Sequence, residues 1–280
     1  MSDTPAPELP VLKLSAPDKS GYWEIPVLFE DEHLMALGKP AGLLTSPDRY
    51  DPDRPNLMRL LHSHIARKVP WAAERRLGYL SNAHRLDRET SGVLLLAKTK
   101  EVLVQLANLF GAEKPEKQYF ALVHGFPRED AFTVDLKIAA HPTRVGVMRV
   151  SQKEGKRSLT EFRTRRRYIG ITAMECRPRT GRTHQIRVHL QSVDCPIVGD
   201  RVYGGEALWL SELKRHYRVG KGKEERPLIE RVALHAESLS LVHPVTGVPV
   251  RIECPLPRDL RVALKYLEKY ALSGMVDDPV

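Results

Sequence analysis

Short apolar runs alternate along the chain with polar segments punctuated by glycine and proline. Ile25-Pro26-Val27-Leu28-Phe29 and His33-Leu34-Met35-Ala36-Leu37 flank the acidic turn Glu30-Asp31-Glu32, and together they predict two short strands. Val93-Leu94-Leu95-Leu96-Ala97 is an unbroken apolar run, the pattern of a strand buried on both faces. Leu57, Leu60, Leu61 and Ile65 recur at helical spacing behind Asn56, a residue that caps helices well. A second helix is expected from Thr99 to Phe110, with Val102, Leu103, Leu106, Ala107 and Phe110 as its stripe. Strands are expected at 118–124, 145–150, 159–163, 169–176, 232–242 and 248–254, and a last helix near 259–272. The pattern is that of an α+β protein, without internal repeats or low-complexity tracts.

Two polar blocks interrupt this pattern. The first, Ala83-His84-Arg85-Leu86-Asp87-Arg88-Glu89-Thr90-Ser91-Gly92, feeds the apolar run directly. A polar loop held on a rigid strand is a common place for catalytic groups, although the segment alone also fits a charged surface turn. Asp87 and Glu89 are the candidate acids. An aspartate aimed by an arginine can act as nucleophile or base. Two acids also suit glycoside hydrolysis, whose carboxyl separation no sequence fixes. The second block, Arg177 to Leu190, contains Gly181-Arg182-Thr183-His184-Gln185-Ile186-Arg187. Thr183 is expected to cap a helix there, on which Ile186, His189, Leu190 and Val193 share a face. Arg182 and Arg187 then lie at the helix start, where free N–H groups already favour an anion. Arg163, Arg165 and Arg167 are expected on one face of a strand.

Composition narrows the partners. The 280 residues carry a formal net charge of +9, an excess that suits phosphate-rich partners. No apolar run approaches the roughly 20 residues of a membrane span, and residues 1–20 read as a flexible leader without a signal peptide. The three cysteines form no metal-binding or disulfide pattern, so reduced thiols in the cytoplasm are the expectation. Phosphate-loop, dinucleotide, zinc-protease and hydrolase-elbow motifs are absent from the sequence.

The first block, His84-Arg85-Leu86-Asp87-Arg88-Glu89-Thr90-Ser91-Gly92, resembles the H-R-L-D-x-x-T-S-G signature of the RluA-type RNA pseudouridine synthases. Lys39-Pro40-Ala41-Gly42-Leu43 is similar to that family's K-P-x-G loop, and Lys117 to Gly125 to its K-x-Y-x-A-x-V-x-G strand. Gly181 to Leu190, followed by Gly199-Asp200 and Tyr203-Gly204, is similar to its arginine block. Leu234-His235-Ala236 and His243-Pro244 complete the likeness, which runs in order from about Val27 to Pro257.

The resemblance implies a mixed, mostly antiparallel sheet flanked by helices, with a central RNA-binding cleft. It also implies isomerisation of uridine to pseudouridine in ribosomal or transfer RNA, without cofactor or metal. The catalytic residues would be Asp87, its partner Arg187, and Tyr119 packed on the target base. Arg85, Lys117, Arg182, His184 and Gln185 would contact substrate, Arg85 by helping to displace the uridine. A cytoplasmic monomer is expected, with one catalytic domain over 21–275, no membrane contact and no obligate protein partner. The S4 RNA-binding module common in the family is not expected, since too few residues precede the first catalytic strand. The segment 206–231, basic and helix-like in its first half, is expected to touch RNA away from the target. A non-catalytic RNA-binding protein on the same fold is the alternative.

Overall fold

The apolar runs form strands and the striped segments form helices in a computed structural model that describes residues 9–16, 21–48, 51–220 and 222–272. The chain divides into two compact units. The first comprises Met1–Pro115 with Ser238–Cys254, the second Glu116–Glu237 with Pro255–Val280.

In the first unit β1 (Val11–Ser15), β2 (Tyr22–Glu30), β3 (Leu34–Lys39) and β5 (Ser91–Ala97) pair antiparallel in that order, and β4 (Ser81–Asn82) also pairs with β5. Helices α1 (Leu57–Ala66), α2 (Pro70–Glu74) and α3 (Lys100–Gly111) accompany them. The Asn56 side chain accepts from Arg59 N–H at 2.9 Å and caps α1, and Thr99 caps α3 through Val102 N–H at 3.2 Å. β5 explains its own sequence. Leu94 and Leu96 join a core with Leu14, Ile25, Leu57 and Leu61. Val93, Leu95 and Ala97 join another with Val102, Leu106 and Leu239. Neighbouring strand residues point to opposite faces, so a strand serving two cores must be apolar throughout.

In the second unit β6 (Glu116–His124), β11 (Ile171–Pro178), β10 (Leu159–Tyr168) and β7 (Ala131–Asp135) pair antiparallel in that order. β8 (Ile138–Ala140) and β9 (Met148–Val150) form a separate hairpin, and α4 (Gln185–Gln191) and α5 (Leu210–Leu213) follow β11 in the chain. β12 (Leu234–Val242) carries the chain from the second unit into the first, where it pairs with β13 (Pro249–Glu253) from Ser238 onward. α6 (Arg258–Tyr270) returns to the second unit and buries Leu260, Ala263 and Leu267 in its core. Each of those leucines is worth about 1.5–3 kcal/mol of apolar transfer.

Three expectations need correction. Val11–Ser15, assigned above to a leader, forms β1 because Leu12 and Leu14 are core residues and the strand pairs with β2. Residues 1–8 and 17–20 lie outside the described residues. Among the described residues of 206–231 only Leu210–Leu213 is helical, and a helix this short leaves most of its end groups outside the ladder. The arginine row is broken as well, since the β10 register shifts between Thr164 and Arg166. Arg165 pairs with Glu237 and with Glu175, while Arg167 pairs with Asp130 at 2.9 Å. Burial alone would raise the pKa of Glu237, but hydrogen bonds from Arg165 and Gln118 bring it below the ordinary value.

Candidate active site

Asp87 stands on the loop between β4 and β5, half-buried, and its neighbours are fastened through the backbone. One hydroxyl holds both polar groups of Leu86: Thr45 Oγ1 donates to Leu86 O at 2.9 Å and accepts from Leu86 N–H at 3.2 Å. On the other side, Arg88 O accepts from Gly42 N–H at 2.8 Å and from Lys39 Nζ at 3.3 Å. Gly42 has φ +82°, a conformation that favours glycine. Thr90 N–H closes the turn by donating to Asp87 O at 3.2 Å.

Lys39 is 1% exposed, and its ammonium also donates to Pro40 O at 2.7 Å and Leu43 O at 2.6 Å. A lysine has three N–H donors, and three backbone carbonyls receive them here. The K-P-A-G loop and the Asp87 loop are thereby joined. His84 is anchored by accepting Leu95 N–H at 3.1 Å on Nε2, with its ring stacked 5.0 Å from that of Phe110. Arg85 is exposed. Glu89 is half-exposed beside Arg88 at 3.6 Å.

In the second unit, Arg187 is buried on α4 and grips Asp200 in bidentate fashion. Nε donates to Oδ2 at 2.6 Å and Nη2 to Oδ1 at 2.8 Å. Asp200 is 1% exposed. The guanidinium carbon also lies 4.9 Å from the centre of the Tyr203 ring. Charge-assisted pairs of this kind fix direction as well as energy. The Asp200 turn depends on Gly199, at φ +77°, where a Cβ would sit 2.0 Å from the Arg231 carbonyl oxygen.

The helix cap differs from expectation. His184, not Thr183, is the N-cap, and it takes the left-handed conformation at φ 54°. Its Nδ1 lies 2.8 Å from the Tyr203 hydroxyl.

Gln185 is 4% exposed and its amide is used up inside the protein. Oε1 accepts from Thr180 Oγ1 and Arg182 N–H, while Nε2 donates to Leu159 O and Thr160 Oγ1. These polar groups hold the turn that carries Arg182 and His184. Lys117 Nζ reaches the same turn, donating to Thr180 O at 2.8 Å, and Arg182 Nε donates to Arg157 O at 3.0 Å. Tyr119 is half-buried on β6 opposite Cys176, packed against the core of this unit. His189 is fully buried, with Nε2 donating to Leu136 O at 3.0 Å and Nδ1 accepting from Thr160 Oγ1 at 2.9 Å. Burial lowers its pKa.

Sequence reasoning assigned no role to Lys39, Thr45, Asp200 or Tyr203. Lys39 and Asp200 were legible only as motif letters; the sign of their role is a buried charge with every donor or oxygen engaged. The three cysteines are buried thiols outside any disulfide, and burial pushes the Cys254 thiol to about 12. No helix among the described residues is long and apolar enough to cross a membrane.

These two polar nests, a latched aspartate and a clamped arginine, belong to a chain whose residues 33–192 match the family model of RNA pseudouridylate synthases. The chain is 37% identical over 248 residues to ribosomal large subunit pseudouridine synthase D of Xanthomonas campestris, covering 87% of this chain and 69% of that protein. The enzyme of the same name from Escherichia coli K12 is 34% identical, covering 84% and 68%. Among solved structures, human RNA pseudouridylate synthase domain containing 4 superposes with a TM-score of 0.61 at 27% identity, over 86% of this chain and 92% of that one. The chain belongs to the RNA pseudouridylate synthase family, in its RluA-type branch. It is accordingly an RNA-modifying isomerase with the α+β fold of that family, built here on largely antiparallel strands.

Proposed function

We propose that the uridine isomerised by this enzyme lies in large-subunit ribosomal RNA, and that Asp87 is the catalytic carboxylate. The relatives named above carry that substrate in their names. The observation that carries the assignment of Asp87 is the fastening of its two neighbours, Leu86 and Arg88, by Thr45, Gly42 and Lys39. A carboxylate on so fixed a backbone is pre-organised for a reacting atom. Isomerisation breaks the N1–C1′ bond of uridine and makes a C5–C1′ bond. N1 gains a proton and C5 loses one, so the reaction is redox-neutral and balances without a co-reactant. Aspartate can serve as nucleophile or base in that sequence.

Arg187 is the partner that orients the carboxylate in this reading, and Tyr119 is the ring that packs on the uracil. Arg85, exposed beside Asp87, assists in displacing the nucleotide, since a stacked base must leave its helix before C1′ can be reached. Lys117, Arg182 and His184 contact the RNA, and the net charge of +9 supports binding through phosphates. Lys214 and Arg215, in the basic segment after α4, extend that contact; Lys221 lies outside the described residues. The enzyme acts in the cytoplasm as a monomer.

Asp87→Asn tests the central claim. Pseudouridine formation in ribosomal RNA, mapped by chemical modification, should fall by at least about a thousandfold with RNA affinity nearly unchanged. Turnover near wild type would remove Asp87 from the chemistry and leave the non-catalytic RNA-binding alternative to be tested.

A further inference from the structure

The hairpin of β8 and β9 with its flanks, Lys137 to Arg157, carries six basic residues and one acidic residue. The acid, Glu154, is paired with Arg149 at 2.6 Å. Arg144, Lys153 and Lys156 are exposed. This hairpin is not an isolated arm. Ile138 forms a small core with Val188 of α4 and with Tyr203, against which Val147, Met148 and Val150 also pack.

The polar contact is more telling. Met148 N–H donates to the Tyr203 hydroxyl at 2.9 Å, and His184 Nδ1 is hydrogen-bonded to the same hydroxyl at 2.8 Å. The same Tyr203 ring faces the guanidinium of Arg187 at 4.9 Å. One side chain therefore touches the basic hairpin, the strained His184 cap and Arg187. A non-glycine residue at positive φ persists only where its surroundings hold it, and at His184 the Tyr203 hydroxyl is part of that hold.

We propose that Tyr203 is a positioning residue that couples RNA held on the basic hairpin to the guanidinium of Arg187. The inference rests on the reading of Arg187 as the partner of the catalytic carboxylate. RNA phosphates bind Arg144, Lys153 and Lys156. The hairpin backbone, fixed by that contact, fixes the hydroxyl of Tyr203. The ring of Tyr203 and the cap of His184 in turn hold Arg187 in its working direction.

Tyr203→Phe keeps the ring and deletes the hydroxyl. With in vitro transcribed large-subunit ribosomal RNA as substrate, kcat should fall about tenfold while KM stays within about twofold, the signature of lost positioning rather than lost binding. Met148→Pro deletes the donor from the hairpin side and should give the same split, which keeps the proposal open to test if one variant folds poorly. The triple variant Arg144→Gln/Lys153→Gln/Lys156→Gln should flatten the salt dependence of RNA binding. It should also lower kcat about fivefold at saturating RNA when Tyr203 is present, with no further loss in the Tyr203→Phe background. Wild-type kcat in both Tyr203→Phe and Met148→Pro would overturn the proposal. So would kcat losses that simply multiply when the hairpin and tyrosine changes are combined. Arg187→Lys separates the two levels. If it retains wild-type kcat, the reading of Arg187 fails; if it loses activity while Tyr203→Phe does not, only the coupling fails.

Discussion

The Asp87 loop is fastened through its backbone, and the Arg187 turn through its side chains. Around Asp87, the Lys39 ammonium and the Thr45 hydroxyl grip carbonyl and amide groups of the main chain. Around Arg187, the Asp200 carboxylate takes the guanidinium in two hydrogen bonds and the Tyr203 ring faces it at 4.9 Å. Backbone latching fixes the path of a loop without dictating which side chain it displays. Side-chain clamping fixes the direction of one group and ties every member of the network to the others. A half-buried carboxylate carried on a loop between two strands suits the first device. The buried Arg187 guanidinium, costly to hold without a partner, is held by the second.

The side-chain clamp depends most on Asp200. Asp200→Ala leaves the Arg187 guanidinium without its bidentate carboxylate, and should destabilise the second unit by about 3 kcal/mol or more. Urea unfolding measures it, and a loss below about 1 kcal/mol would show that the clamp is not what holds the turn. Lys39→Met keeps the apolar stem but abandons the carbonyls of Pro40, Leu43 and Arg88. A loss of about 2–3 kcal/mol is expected, together with faster amide hydrogen exchange at Thr90. An unchanged exchange rate there would mean that Thr45 and Gly42 suffice.

The smallest effect is one of pH. Burial lowers the pKa of His189 from an ordinary value of 6.5, so below pH 6.5 the unfolded chain takes up a proton that the folded chain resists. Stability should therefore be complete above pH 6.5 and fall as the pH drops toward the lowered folded value. His189→Gln should flatten that slope in urea midpoints measured from pH 7.5 to 5. A slope identical to wild type would assign it to other groups.

What the sequence revealed follows the same division. Local signals were legible: Asn56 caps its helix, and the apolar run of β5 is buried on both faces. Asp87 stood out because polar groups crowd its loop. The partners that hold the site did not stand out, because Lys39, Thr45 and Asp200 act through contacts set by the fold rather than by spacing. The helix cap went to Thr183 because a hydroxyl is a common N-cap, whereas His184 takes a left-handed conformation that local propensity disfavours. β1 was missed because five residues that alternate in burial, among short flanks, give a weak period. The arginine row failed because a shift of register in β10 defeats a strict period of two.

The path of β12 has a consequence for how the chain is made. A ribosome delivers residues in order, yet the core containing Val93 and Leu95 needs Leu239, Leu241 and Ile252, and the core containing Phe120 and Met174 needs Leu260 and Leu267. Each core must wait, with apolar surface uncovered, for residues synthesised long after its first members. Contacts so distant in sequence make for slow closure, and exposed apolar surface in that interval invites aggregation. A nascent chain arrested near residue 230 should bind chaperones and be degraded readily by proteases, while one extended past residue 270 should resist both.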